Sequence, residues 1–249
     1  MFSQISDKAV IGNNVTIGDF VKIHDEVVIE DNTIIGDYCH IGVPTNNANG
    51  EKLVIGENSN IRSHTVIYQG STFKSKLETG HHALIRENVH AGNNLRVGSF
   101  SELEGNIKIG NYTRIHSKVA ISPGCELGDL VYLFPRVQTS NDPLPPSHIG
   151  EPVKIDHMAV ISINSLLMPG TQIGFGSFVS GSSIVKGNVN PVTCVAGNPA
   201  KEICKVNKMM NLKHKLIHPW PNHFKDNYPE ESHDLIDSYM DKFKELVSQ

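Results

Sequence analysis

Long hydrophobic runs, aromatic rings and paired cysteines are all scarce in this sequence, and each shortage removes a class of protein. No stretch approaches the roughly 18 apolar residues that a membrane-spanning helix needs. The opening MFSQISDKAV has neither the charged nor the apolar region of a secretory leader. A cytoplasmic protein without membrane insertion is expected. Only 6% of residues are aromatic against 39% hydrophobic overall, so the core must be aliphatic, and its richness in Ile favours strands over helices. Cys39, Cys125, Cys194 and Cys204 lie far apart with no CxxC pair, which argues against both a zinc knuckle and a disulfide scaffold. Neither sign of charge dominates. A formal charge of -4 denies nucleic acid the basic stripe that a phosphate backbone requires, and leaves room only for a local basic pocket.

What the sequence has in abundance is a period of six. An aliphatic residue recurs from Ile5 through Ile11, Ile17, Ile23, Ile29 and Ile35 to Ile41, again from Ile55 to Leu133, and again from Ile149 to Val185. Four positions after it stands a small or apolar residue, as at Val21, Val27, Cys39, Ala83, Val119 and Cys125. Two inward residues flanking an outward one is strand alternation. Gly, Asn and Asp then supply a corner. Hexapeptide repeats of this kind mark an all-β solenoid, a parallel β-helix whose coils stack about 4.8 Å apart. With three hexads per coil, residues 18 apart become neighbours.

Two polar insertions interrupt the count, near 43–53 and 135–148. The first domain is read as 1–203 and a C-terminal helical extension as 204–249, in which KVNKMMNLKHKLI and PEESHDLIDSYMDKFKELV are the helical stretches, separated by HPWPNHFKDNY. Leu235, Ile236, Tyr239, Met240, Phe243 and Leu246 give the last helix an apolar face, which is expected to cap the open end of the solenoid or to join subunits.

The repeat (I/L/V)-G-x-x-x-x resembles that of the hexapeptide acyltransferases, whose solenoid is a left-handed β-helix and which are commonly homotrimers. The segment IVKGNVNPVTCVAGNPAKEI resembles their terminal V-x-x-x-V-P-P-x-x-x-V-x-G-N-P-A-K, with Asn190 in place of the first proline. That resemblance implies coenzyme A as co-substrate, supplied as acetyl-CoA or another acyl-CoA with no metal, its thin chain passing Gly181 and Gly197 and its phosphates facing Lys186 and Lys201, with Asn198 and Pro199 completing the motif. QTSNDPLPP resembles a loop of acyltransferases that act on nucleotide-linked aminosugars, implying that Asn141 holds the sugar or the acyl donor and that Asp142 orients the amine. In the lipid A type enzymes a catalytic histidine occupies the third position of a hexad, here His81 or Glu87.

Register adds further candidates. His82 stacks one coil from His64, Glu87 lies at the next corner, and between these corners one face points Tyr68, Arg86, Glu102 and Glu104 outward. Bordered on both sides by the insertions, that face is expected to take the sugar. His81 or His82 is the preferred base, Glu87 the next. The leading expectation is an acyl-CoA-dependent N-acyltransferase acting on a UDP- or dTDP-linked aminosugar in surface polysaccharide biosynthesis, such as lipopolysaccharide O-antigen. An acyl-carrier-protein-dependent O-acyltransferase of the lipid A type is the alternative within the class. A γ-type carbonic anhydrase with histidine-bound metal is the alternative outside it, and a purely structural solenoid leaves the loops and terminal motif unexplained. Cys39 and Cys125 fall at inward positions, where a thiol packs rather than attacks.

Overall fold

The computed structural model describes residues 3–218 and 225–248. Strands of mostly two or three residues run around a triangular coil, and the coil's three sides stack into three parallel sheets. Sheet A extends from Gln4–Ile5 to Ile184–Val185, sheet B from Val10–Ile11 to Asn188–Val189, and sheet C from Thr16–Ile17 to Thr193–Gly197, with Ala200–Lys205 added antiparallel at its end. Away from the insertions the register is eighteen, as where Ile85 faces Leu103 in sheet A, Phe73 faces Ala91 in sheet B, and Arg96 faces Arg114 in sheet C. It shortens to sixteen at the last coil, where Gln172 faces Asn188 and Phe178 faces Cys194.

Each hexad sends two side chains inward. Ile23, Ile41, Ile67, Ile85, Leu103 and Ile121 form one buried row, and Val21, Cys39, Ala83 and Val119 form another. Hydroxyls take the inward place where a corner carbonyl needs a donor. Ser71 donates to the Arg86 carbonyl at 3.0 Å and Ser101 to the His116 carbonyl at 2.8 Å, so these buried polar groups are satisfied. Burial pushes the Cys39 thiol up to about 11, and with Cys125 equally buried neither is a nucleophile.

The corners need a left-handed residue. Between sheets B and C that residue is often asparagine, as at Asn14, Asn32, Asn58 and Asn94, which tolerates positive φ. Between sheets C and A it is Phe20, Tyr38, His64, His82 and Phe100, with φ of 57 to 62°. Bulky side chains are strained there, and the strain is offset by ring stacking from coil to coil.

The structure corrects four sequence expectations. The coil does not stop at Leu133: Arg136 makes the next corner and Gln138–Thr139 the next strand. Thr139 fills the inward place, bonding Ser122, while Ile149 is 56% exposed and the run resumes at Ile155. The second insertion is therefore 140–152, not 135–148; a threonine in an aliphatic slot hid the continuing period. Consequently both insertions leave sheet A and rejoin sheet B, at one corner, instead of flanking one face from two sides.

KVNKMMNLKHKLI is not helical but a 3-10 turn, Val206–Lys208, followed by a small hairpin of Met210–Asn211 and Leu216–Ile217. The spacer HPWPNHFKDNY lies partly outside the described residues. Helix α1, His233–Ser248, does form, and lies along the flank of the last coils rather than over their end. Phe243, Ile236 and Tyr239 pack on the B–C corner residues Leu130, Met158, Phe175 and Val192. No described helix is long and apolar enough to cross a membrane.

Candidate active site

The corner between sheets C and A is a ridge made from one residue per coil. Backbone bonds carry it from Ser63 through His81, Ser99, Ser117, Pro135 and Ile163 to Gly181, each carbonyl accepting from the N–H that follows the next residue along. His81 is exposed, its Nδ1 lies 2.8 Å from Ser63 Oγ, and its backbone N–H donates to Ser99 Oγ at 3.0 Å. Nε2 has no partner among the described residues. When Nδ1–H donates to Ser63, Nε2 presents a lone pair to whatever lies on the ridge.

His82 has a different environment. Its ring is one rung of a ladder, 4.4 Å from His64 and 4.9 Å from Phe100, and the ladder continues through Tyr38 to Phe20. Stacking of this kind holds the ring by both faces.

On sheet A, next to the ridge, the expected outward row is present. Tyr68, Arg86 and Glu104 follow one another at eighteen-residue steps, with Glu102 one row nearer the ridge and paired in register with Leu84. Burial, and then repulsion from Glu102, raise the Glu104 carboxyl above its ordinary value, with Arg86 opposing. Glu87 is turned away from this face. Its buried carboxylate accepts from Asn47 Nδ2 at 3.0 Å and from Arg86 Nη2 at 3.0 Å, and the Asn47 carbonyl accepts from Asn88. Burial opposes ionisation, but these donors hold the carboxyl below its usual range. Glu87 thus pins the first insertion to the solenoid.

In the second insertion Asp142 caps its own loop. It accepts from the Leu144 N–H at 2.9 Å, the Ser147 N–H at 2.8 Å and the Ser147 hydroxyl, bonds that lower its carboxyl. The Asn141 carbonyl accepts from the Glu151 N–H, so this residue ties the two ends of the loop through its backbone.

The terminal motif is where the solenoid turns back on itself. Thr193–Gly197 pairs antiparallel with Ala200–Lys205, and Gly197, at φ +103°, with Asn198 and Pro199 makes the connection. Lys201 stands opposite Ala196 on that hairpin, while Lys186 follows the last strand of sheet A. Both are exposed. Gly181 lies between their two faces, on the ridge that carries His81.

Sequence reasoning missed one constellation. Asp129 Oδ2 accepts from the Tyr239 hydroxyl at 2.6 Å, and its backbone N–H donates to His157 Nδ1 at 2.8 Å. Although burial opposes it, hydrogen bonding of the carboxylate with His157, Tyr239 and the backbone and side chain of Asn111 keeps it well below the usual range. The cluster ties α1 to the solenoid. Only the spacing of 28 between Asp129 and His157, an eighteen-residue coil lengthened by the second insertion, could have signalled it. Among the described residues no three His, Cys, Asp or Glu side chains gather as a metal site; His64 and His82 stack rather than converge.

The repeat pattern of bacterial transferase hexapeptide proteins (six repeats) matches residues 3–42. A 2,3,4,5-tetrahydropyridine-2,6-dicarboxylate N-acetyltransferase of Staphylococcus aureus is 33% identical over 73 residues, 29% of this chain and 30% of that protein. This chain therefore aligns with under a third of that relative's length. Among solved structures, the UDP-N-acetylglucosamine acyltransferase of Arabidopsis superposes with a TM-score of 0.68 at 17% identity, over 93% of this chain and 78% of that one. The corresponding Campylobacter jejuni enzyme superposes at 0.57 and 17% identity, over 99% and 83%. At such identities the likeness is one of fold.

Proposed function

We propose that this chain, a hexapeptide-repeat protein with the left-handed β-helix of its structural neighbours, is an acyltransferase that moves an acyl group from a coenzyme A thioester to the amino group of a nucleotide-linked sugar. The observation that carries the reading is His81: an exposed imidazole held at Nδ1, open at Nε2, on a ridge that leads to Gly181 and the Gly197–Pro199 turn. The acetyltransferase name of the Staphylococcus relative supports the same reaction class.

In this reading the amine attacks the thioester carbonyl while His81 Nε2 accepts a proton from it. The tetrahedral adduct collapses, the C–S bond breaks, and the thiolate recovers a proton as free thiol. One amide and one thiol replace one amine and one thioester. Glu102, Glu104, Arg86 and Tyr68 supply hydroxyl-binding groups on the adjoining face, and Asn141 closes over it. Lys186, Lys201, Asn198 and Pro199 belong to the donor's end. A homotrimer and a role in surface polysaccharide synthesis belong to the same proposal.

The shared length with UDP-N-acetylglucosamine acyltransferases supports a second reading, O-acylation from an acyl carrier protein. Thiol release from acetyl-CoA against a panel of UDP- and dTDP-linked 3-amino and 4-amino sugars separates the two. Under the leading reading one sugar gives release, and His81→Ala lowers kcat by about 100-fold or more with the melting temperature unchanged. Equal kcat in that variant removes His81 as base.

A further inference from the structure

Around the ridge from the sugar face, the outer surface of sheet C holds a cleft of about 270 Å³. Three arginines, Arg62, Arg96 and Arg114, and one carboxylate, Glu78, line it, in a chain whose overall charge is negative. Glu78 sits between two guanidinium groups: Arg62 Nη2 donates to Oε1 at 3.0 Å, and Arg96 Nε donates to Oε2 at 3.1 Å. Each arginine has further N–H donors beyond that bond. The arrangement holds two planar donor forks in place at the mouth while leaving the cleft net positive.

Arg114 acts from beneath. It is 6% exposed, three of its five N–H donors go to the Asn94 carbonyl, the Asn94 side chain and the Thr113 carbonyl, and its guanidinium lies 4.4 Å from the Tyr228 ring. Its charge reaches the cleft from a position fixed by these bonds.

At one end the cleft meets a wall of rings. His116 and Tyr132 line it, with centroids 5.2 Å apart, and both pack on Phe134, His116 at an interplanar angle of 11°. Burial lowers the His116 pKa, so at neutral pH this ring is an uncharged, flat surface. The floor is bare backbone at Gly80 and Gly98, where a Cβ on Gly98 would come within 2.4 Å of the next coil's backbone.

We propose that this cleft binds the phosphate and base of a nucleotide, with Arg62 and Arg96 on the phosphate oxygens and the base against His116 and Tyr132. Paired guanidinium forks match phosphate geometry, and flat rings beside them suit a nucleobase. At about 270 Å³ the cleft is at the small end of ligand sites, enough for part of a nucleotide and too small for a complete acyl donor. The proposal rests on the acyltransferase reading only for its orientation: Gly80 and Ser99, which line the cleft, are the chain and coil neighbours of His81, so a phosphate held here lies beside the proposed base. Two ligands carry this chemistry, the acceptor's nucleoside diphosphate and the phosphorylated adenosine of coenzyme A.

Calorimetric titration of the full chain with UDP, dTDP and CoA tests it, in the wild type, Arg62→Ala/Arg96→Ala, the milder Arg62→Lys/Arg96→Lys, and Tyr132→Ala. Since Arg62 and Arg96 are exposed, the double variants should melt with the wild type. Expected is binding of UDP or dTDP that weakens about tenfold or more in the double alanine variant, weakens on Tyr132→Ala, and falls with added salt. The same losses for CoA but not for UDP or dTDP keep the site and assign it to the donor. Equal affinities in all variants, or binding of none of the three probes to the wild type, overturns the site. UDP binding lost with the arginines, together with no thiol release from any sugar, removes the transferase and leaves the site. Thiol release with unchanged KM for both substrates in the double variant removes the site and leaves the transferase.

Discussion

Replacing Glu87 by alanine should release the first insertion without opening the solenoid. The carboxylate receives Asn47 Nδ2 at 3.0 Å and Arg86 at 3.0 and 3.3 Å, and is itself 2% exposed. Hydrogen bonds to a charged group contribute about 1.5–3 kcal/mol each. Arg86 is only half-buried and regains water on release, so its share is discounted, leaving a loss of about 2–3 kcal/mol. Glu87→Gln, which keeps the shape and one acceptor, should lose about half as much. The effect is local, because Ala48 and Asn47 are held by this corner while the coil bonds on either side do not involve the Glu87 side chain.

Amide exchange resolved by segment is the assay. Residues 46–51 should exchange faster by at least tenfold, with residues 60–68 unchanged. The pH dependence has a definite sign. The folded carboxyl lies below its ordinary value, so its contribution is complete above the unfolded value of about 4.3 and is lost as pH falls from there towards the folded value. Protection of 46–51 that is equal in Glu87→Ala and wild type, or that rises on acidification through that window, refutes the reasoning.

Two other outcomes follow from the ring ladder and from the cysteines. His82→Ala should cost about 1 kcal/mol through the loss of two ring contacts, seen by urea denaturation, while leaving kcat within about twofold; a 100-fold fall in kcat would instead make His82 the base. Towards a thiol reagent on the folded protein, half-buried Cys204 should react first and Cys39, Cys125 and Cys194 only on unfolding, since burial holds the Cys39 and Cys194 thiols at about 11. Rapid labelling of Cys39 in the native state would contradict its inward placement.

The period of six was enough to determine the coil, the inward rows and the eighteen-residue register, because each hexad is its own strand and corner and needs no distant partner to choose its conformation. It also placed Tyr68, Arg86 and Glu104 in one row and His64 against His82, since stacking in a solenoid is arithmetic. The arithmetic failed where the inward slot was polar, as at Thr139, and where the repeat ended: beyond Lys205 the apolar spacing of a short hairpin and a helix look alike, and only pairing distinguishes them. What tertiary structure alone decided is the state of each candidate group. A glutamate at the third place of its hexad became an anchor because Asn47, forty residues away, reaches it. His81 stayed open while His82 became a rung, although the two are adjacent in sequence. Arg62, Glu78, Arg96 and Arg114, ordinary charged residues in the linear text, became a cleft because four successive coils bring them to one face. Local pattern fixes the backbone, whereas hydrogen-bond partners and fields depend on distances between coils.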